Sequence, residues 1–83
     1  MTSFYNFDNT PATEECCSCA TSSQLIGWLE DTKAALAEDE NNWNLNLTRS
    51  NIRLEMRRRA RWDDQNRIGY AGCKEVFGQY IAL

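Results

Sequence analysis

The residues best suited to chemistry in this 83-residue chain are four cysteines: Cys16, Cys17 and Cys19 in the string Cys-Cys-Ser-Cys, and Cys73 far downstream. Four thiolates can form the tetrahedral sulfur shell that zinc prefers. The usual spacing, two Cys pairs each separated by two to four residues, is not present. A zinc ion would have to be wrapped by three near-adjacent cysteines and closed by Cys73, so zinc stands only as an alternative. A disulfide from one of the three to Cys73 would close a loop of more than 50 residues, worth about 4 kcal/mol in the chain-entropy model. A reducing compartment opposes it. The plainest expectation is that all four are thiols packed as small hydrophobes, with no resident metal or cofactor.

Catalytic groups are sparse. The chain has no histidine, which removes the commonest general base at neutral pH and with it the Cys–His and Ser–His nucleophile pairs. Asp63 and Asp64 are adjacent; on a helix neighbours point about 100° apart, so they do not form a carboxylate dyad. Gly69-Tyr70-Ala71-Gly72 lacks the strand–turn–helix context of a phosphate-binding loop. The expectation is a protein that is not an enzyme.

Arginine is the other conspicuous residue. Arg49, Arg53, Arg57 and Arg61 recur at intervals of four, and Arg58 and Arg59 thicken the run. On a helix the four form one arc, lying between Ile52 and Leu54. A guanidinium belt suits two kinds of ligand. Nucleic acid is one, since arginine binds phosphate bidentately. Against it stand a net charge of −3 and a pI near 4.8, where nucleic-acid-binding domains are usually basic. Another protein is the second ligand, because arginine and tryptophan are enriched at interface hot spots. The candidate partner-binding residues are therefore Arg49, Arg53, Arg57, Arg58, Arg61 and Trp62. The plainer alternative is a solvated face laced by the i, i+4 pairs Glu55–Arg59, Arg59–Asp63 and Asp63–Arg67, each worth a few tenths of a kcal/mol.

The elements that must position these residues follow from periodicity. The length allows a single domain, 1–83, read as an N-terminal arm (1–20) and a helical core (21–83). The arm carries Phe4, Tyr5 and Phe7, then a turn at Asp8-Asn9-Thr10-Pro11. Thr21-Ser22-Ser23-Gln24 fits a capping box, and Leu25, Trp28, Leu29, Thr32 and Leu36 follow on one helix face. Glu38 to Asn42 reads as a stop and loop. Trp43-Asn44-Leu45-Asn46-Leu47 alternates strictly and is read as an extended lead-in, capped into the next helix by Asn46 or Thr48. That helix is expected from about Thr48 to Asn66, with Ile52, Met56 and Ala60 on one side, Leu54 opposite and Trp62 between. After a break at Ile68-Gly69, a third helix is expected from about Tyr70 to Ile81, facing inward through Cys73, Val76, Phe77, Tyr80 and Ile81.

The fold class expected is all-α, a small three-helix bundle with an extended N-terminal arm. The alternative is α+β, with a short two-stranded pairing of 3–7 and 43–47. Residues 1–42 carry eight acids and one base, and residues 43–83 eight bases and four acids, so the halves stand at −7 and +4. Either the acidic half folds back onto the basic helix, or one sign of charge faces a partner. The first residues lack the basic and apolar regions of a signal peptide, and no stretch reaches the roughly 20 apolar residues of a membrane span. The cytoplasm is the expected location, with no membrane partner. A helix apolar on more than one side usually packs between two surfaces. The function expected is thus a non-enzymatic protein-binding module, its partner another protein or a second copy of itself. Small acidic chains without histidine are common among phage-encoded modulators of a host enzyme or defence complex. By that analogy the chain is a viral inhibitor acting in a host cytoplasm. A structural or virion-assembly protein and a nucleic-acid-contacting helical protein are the alternatives.

Overall fold

The structure is a computed structural model that describes residues 14–81, with side chains described from Cys17 onward. Among the described residues there are four helices and no strand: α1 (Glu14–Cys19), α2 (Ser22–Glu38), α3 (Trp43–Asp64) and α4 (Cys73–Phe77). The all-α class is as expected. The aromatic residues Phe4, Tyr5 and Phe7, the turn at 8–11 and the 3–7 half of the strand alternative lie outside the described residues.

The capping box at α2 forms as its chemistry dictates. The Thr21 hydroxyl accepts from the Gln24 backbone N–H (3.1 Å), and the Gln24 side chain accepts from the Thr21 N–H (2.9 Å). Two donors that the first turn leaves without carbonyl partners are thereby satisfied. Leu25, Leu29, Thr32 and Leu36 are the buried face. Thr32 is tolerated there because its hydroxyl donates to the Trp28 carbonyl at 2.7 Å.

The lead-in expected at 43–47 is helical instead, and α3 begins at Trp43. The reason is a cap three residues upstream of Leu45. The Asn42 side chain accepts from the Leu45 N–H at 3.1 Å, the bond an N-cap makes to its third helical residue. Asn46, expected as a cap, donates to the Asn42 and Glu40 carbonyls. The alternation that suggested a strand also fits a helix, with Leu45 turned inward and Trp43 outward. The 43–47 half of the α+β alternative is therefore excluded.

α3 ends on a Schellman motif. Arg67 N–H bonds the Trp62 carbonyl and Asn66 N–H that of Asp63, and Asn66 adopts the left-handed φ of 59° that the motif needs. The last helix is shorter than expected, five residues rather than about twelve. Gly72 takes φ 84° at its N-cap, a conformation that stops a helix from starting at Tyr70. Its inward face matches the reading at four of five positions: Phe77 and Ile81 are buried and Cys73 and Tyr80 pack against the core, but Val76, expected to face inward, is exposed.

The expected arm contains one further element, α1, a six-residue helix over 14–19. The main core joins all four helical regions: Cys17, Ala20, Leu25, Leu29, Ile52, Met56, Phe77 and Ile81. A second cluster, Leu36 with Leu45, holds the turn end of the antiparallel α2–α3 hairpin. α3 is the element against which α1, α2 and α4 all pack. No helix among the described residues is long and apolar enough to cross a membrane.

Candidate interaction surface

α3 makes two arcs from one sequence. At about 100° per residue, Leu45, Thr48, Ile52, Glu55, Met56, Arg59 and Ala60 fall on the inward arc, and all are buried. On the opposite arc Trp43, Ser50, Leu54, Arg57 and Arg61 are exposed and Leu47 is half-buried. These six recur at alternating intervals of four and three, so they line up as a straight stripe along the helix.

The six residues expected to form one contact patch divide among three places. Arg57 and Arg61 stand on the outer stripe. Arg49 and Arg53 turn toward the α2 flank, where both are half-buried. Arg49 donates to the Asn46 side chain at 3.1 Å, and the Arg53 Nε is sealed from solvent with no acceptor among the described residues. Arg58 and Trp62 occupy the other flank. Arg58 is 35% exposed and donates to Glu55 at 2.7 Å. Trp62 is covered by its own chain: Tyr70 meets its ring edge-on at 4.8 Å, and the Arg67 guanidinium sits 4.8 Å above the ring.

Apolar residues pointing in conflicting directions were the sequence argument for a partner. Ile52 and Met56 are fully buried, Trp62 is half-buried, and Leu54 remains 43% exposed. The outer face owes its apolar character to Leu54 and to a residue the sequence reading did not single out, Trp43, which is 71% exposed.

A second feature escaped the sequence reading. Glu55 and Arg59 are not a surface pair: their side chains are only 3% and 8% exposed, and Nε meets Oε2 at 2.8 Å. The Arg59 Nη2 also donates to the carbonyls of Cys17 (3.3 Å), Ser18 (3.3 Å) and Ala20 (2.6 Å). Cys17 and Ser18 stand at the end of α1 and Ala20 just past it, where carbonyls lack a further helical turn of donors, so the guanidinium helps cap that helix, beside the Ala20 N–H that also reaches the Cys17 carbonyl (3.2 Å). The signal was available: both residues fall on the same arc as Ile52 and Met56. The other two expected pairs, Arg59–Asp63 and Asp63–Arg67, do not form. Asp63 instead accepts the Lys74 backbone N–H at 3.0 Å, and Asp64 the Lys74 ammonium at 2.9 Å. Asp63 thus supplies the N-terminal acceptor that Gly72, at the cap position of α4, cannot.

The cysteines occupy separate settings. Cys17 is buried, Cys73 half-buried and Cys19 exposed, and none of the three is in a disulfide. Among the described residues no three metal-ligating side chains converge. The Cys16 side chain lies outside the described residues.

The fold and surface together define a small all-α protein organised on one long arginine-rich helix. Comparisons with protein-family models, curated proteins and solved structures find no match for the chain.

Proposed function

We propose that the chain is a non-enzymatic protein-binding module of the cytoplasm whose contact surface is the outer face of α3. The observation that carries the reading is the stripe Trp43, Leu47, Ser50, Leu54, Arg57, Arg61, in which apolar and guanidinium groups share one straight row, exposed except at the half-buried Leu47. Exposed aromatic and arginine side chains in one row have the composition of interface anchors. The leucines of the row, Leu47 and Leu54, and the acidic total charge argue against a duplex phosphate backbone, which is bound by charge. By the analogy with small phage-encoded modulators, the form of binding proposed is obstruction of a host enzyme or defence complex.

The test is affinity capture from lysate with the tagged chain, run beside Leu54→Glu and the double variant Arg57→Glu/Arg61→Glu. Circular dichroism confirms that each variant is folded. Loss of the same captured protein in both variants supports the reading. Undiminished capture in both removes the outer face of α3 as the contact surface. A shift of random duplex DNA at 50 mM salt, abolished by the arginine variant, would replace protein with nucleic acid as the ligand.

A further inference from the structure

The stripe on α3 differs in character from one end to the other. Its N-terminal part is apolar (Trp43, Leu47, Leu54 around Ser50), and its C-terminal part is cationic (Arg57, Arg61, with Arg58 beside them). Immediately before the helix stands an exposed acidic turn, Glu38, Asp39 and Glu40. The long axis of α3 therefore runs from acid through apolar to base.

Among the described residues these charges are not consumed by pairing with one another. The ion pairs among the described residues are Arg58–Glu55, Arg59–Glu55 and Lys74–Asp64. None links an acid of the first half to an arginine of the second. Among the described residues Arg57 and Arg61 meet no carboxylate, and Glu38 and Glu40 meet no ammonium or guanidinium.

A surface with this polarity is complementary to itself when reversed. We infer that the occupant of the α3 outer face is a second copy of the chain, its α3 laid antiparallel across the first. The inference rests on the outer face being a protein contact, and assigns that face to a second copy in place of a host protein. A two-fold axis halfway between Leu47 and Leu54, beside Ser50, sets each Leu47 against the Leu54 of the other copy. The same axis places Trp43 over the Arg58 and Arg57 of the other copy, an arrangement that favours stacking of guanidinium on indole. It also carries Glu40 alongside the other copy's Arg61.

The flanks agree with this arrangement. About a two-fold axis perpendicular to both helices, like flanks face like flanks. Glu40 lies on the same flank as Asn46 and Arg49, sharing a surface hollow with them, and at 100° per residue Arg57 stands at the edge of that flank. The acid of one copy thus meets the arginines of the other twice over. Ser50, small and exposed at the centre, lets the two backbones approach closely. Antiparallel helices also set opposite ends of their dipoles together.

Size limits the affinity. The stripe spans 18 residue steps, about 27 Å. A single two-helix contact of that length lies near or below about 1,200 Å² in total, the range of transient complexes, so the dimer is a reversible, concentration-dependent one.

Sedimentation velocity on the full chain, from about 5 to 500 μM at low salt and again at 0.5 M NaCl, tests this. The expected result is a concentration-dependent monomer–dimer equilibrium weakened by salt. Leu54→Glu abolishes it. Arg61→Glu and Glu40→Arg each weaken it about tenfold, since a symmetric interface counts every change twice. The double variant Glu40→Arg/Arg61→Glu recovers to within about threefold, which a merely destabilised fold would not do. A chain that stays monomeric at the highest concentration overturns the second copy as occupant. The capture experiment then decides separately whether a different protein binds the face. A dimer indifferent to Leu54→Glu and to the single charge reversals Arg61→Glu and Glu40→Arg overturns the inference from the other direction, by placing the contact elsewhere.

Discussion

The Nη2 of Arg59 lies 2.6 Å from the carbonyl oxygen of Ala20, and its Nε lies 2.8 Å from Glu55. One side chain therefore compensates a buried carboxylate and closes the end of a helix from the opposite side of the core. A charge so placed is stable only while all its partners are present.

Arg59→Met should cost about 3 kcal/mol in urea unfolding, near the lower end for breaking a buried pair, because Arg58 continues to hold Glu55. Arg59→Lys should recover little of this. An ammonium cannot fork toward a carboxylate and three carbonyls together. Replacing both charges, as Glu55→Leu/Arg59→Met, should be less damaging than the sum of the single changes. A loss under about 1 kcal/mol for Arg59→Met would contradict the role given to the cluster.

Two glycines should respond in opposite directions to alanine. Gly27 sits within α2, and an added Cβ meets nothing within 4 Å. Gly27→Ala should stabilise the protein by about 0.5–1 kcal/mol through helix propensity. Gly72 also has room, but its φ of 84° is left-handed. Gly72→Ala should therefore destabilise by about 1–2 kcal/mol. Thermal denaturation of the two variants side by side checks the signs, which matter more than the sizes.

The neighbouring acids at the end of α3 should also separate. Asp63→Ala removes the acceptor for the Lys74 backbone N–H and should cost about 1 kcal/mol, as loss of a helix cap does. Asp64→Ala breaks only an ion pair whose side chains are 56% and 53% exposed. Its effect should stay within about 0.5 kcal/mol and vanish in high salt. Equal effects in chemical denaturation would show that Asp63 does not cap α4.

Alkylation of the folded chain, with the modified peptides mapped by mass, should label Cys19 well before Cys17. Cys19 is exposed and Cys17 is fully buried in the core, and thiol reactivity requires access. Cys17 should become reactive only as the protein unfolds. Labelling of both at one rate in native buffer would place Cys17 outside the core.

What could be read from the sequence follows from how local each cause is. α2 was legible because Thr21, Gln24 and the Leu25–Leu29–Leu36 face all lie within one element. The start of α3 was not, because Trp43-Asn44-Leu45-Asn46-Leu47 satisfies two periodicities and only the Asn42 cap chooses between them. α1 carries no sufficient signal of its own; the group that finishes it, Arg59, lies about forty residues downstream. The length of α4 turned on the backbone conformation of Gly72, which residue type permits but does not require. The exposure of Arg57 and Arg61 on the outer face of α3 was legible from spacing alone. The partial cover of Trp62 was not legible, because Arg67 and Tyr70, in the following turns, return to meet its ring.

That α1, α2 and α4 each lean chiefly on α3 sets an order of melting. Short helices of six and five residues have little persistence of their own, so opening starts with them and travels inward. The amides around Ile52 and Met56 should be the last to exchange with deuterium. Once they do, nothing else retains structure, and the whole chain stands or falls with its central rod.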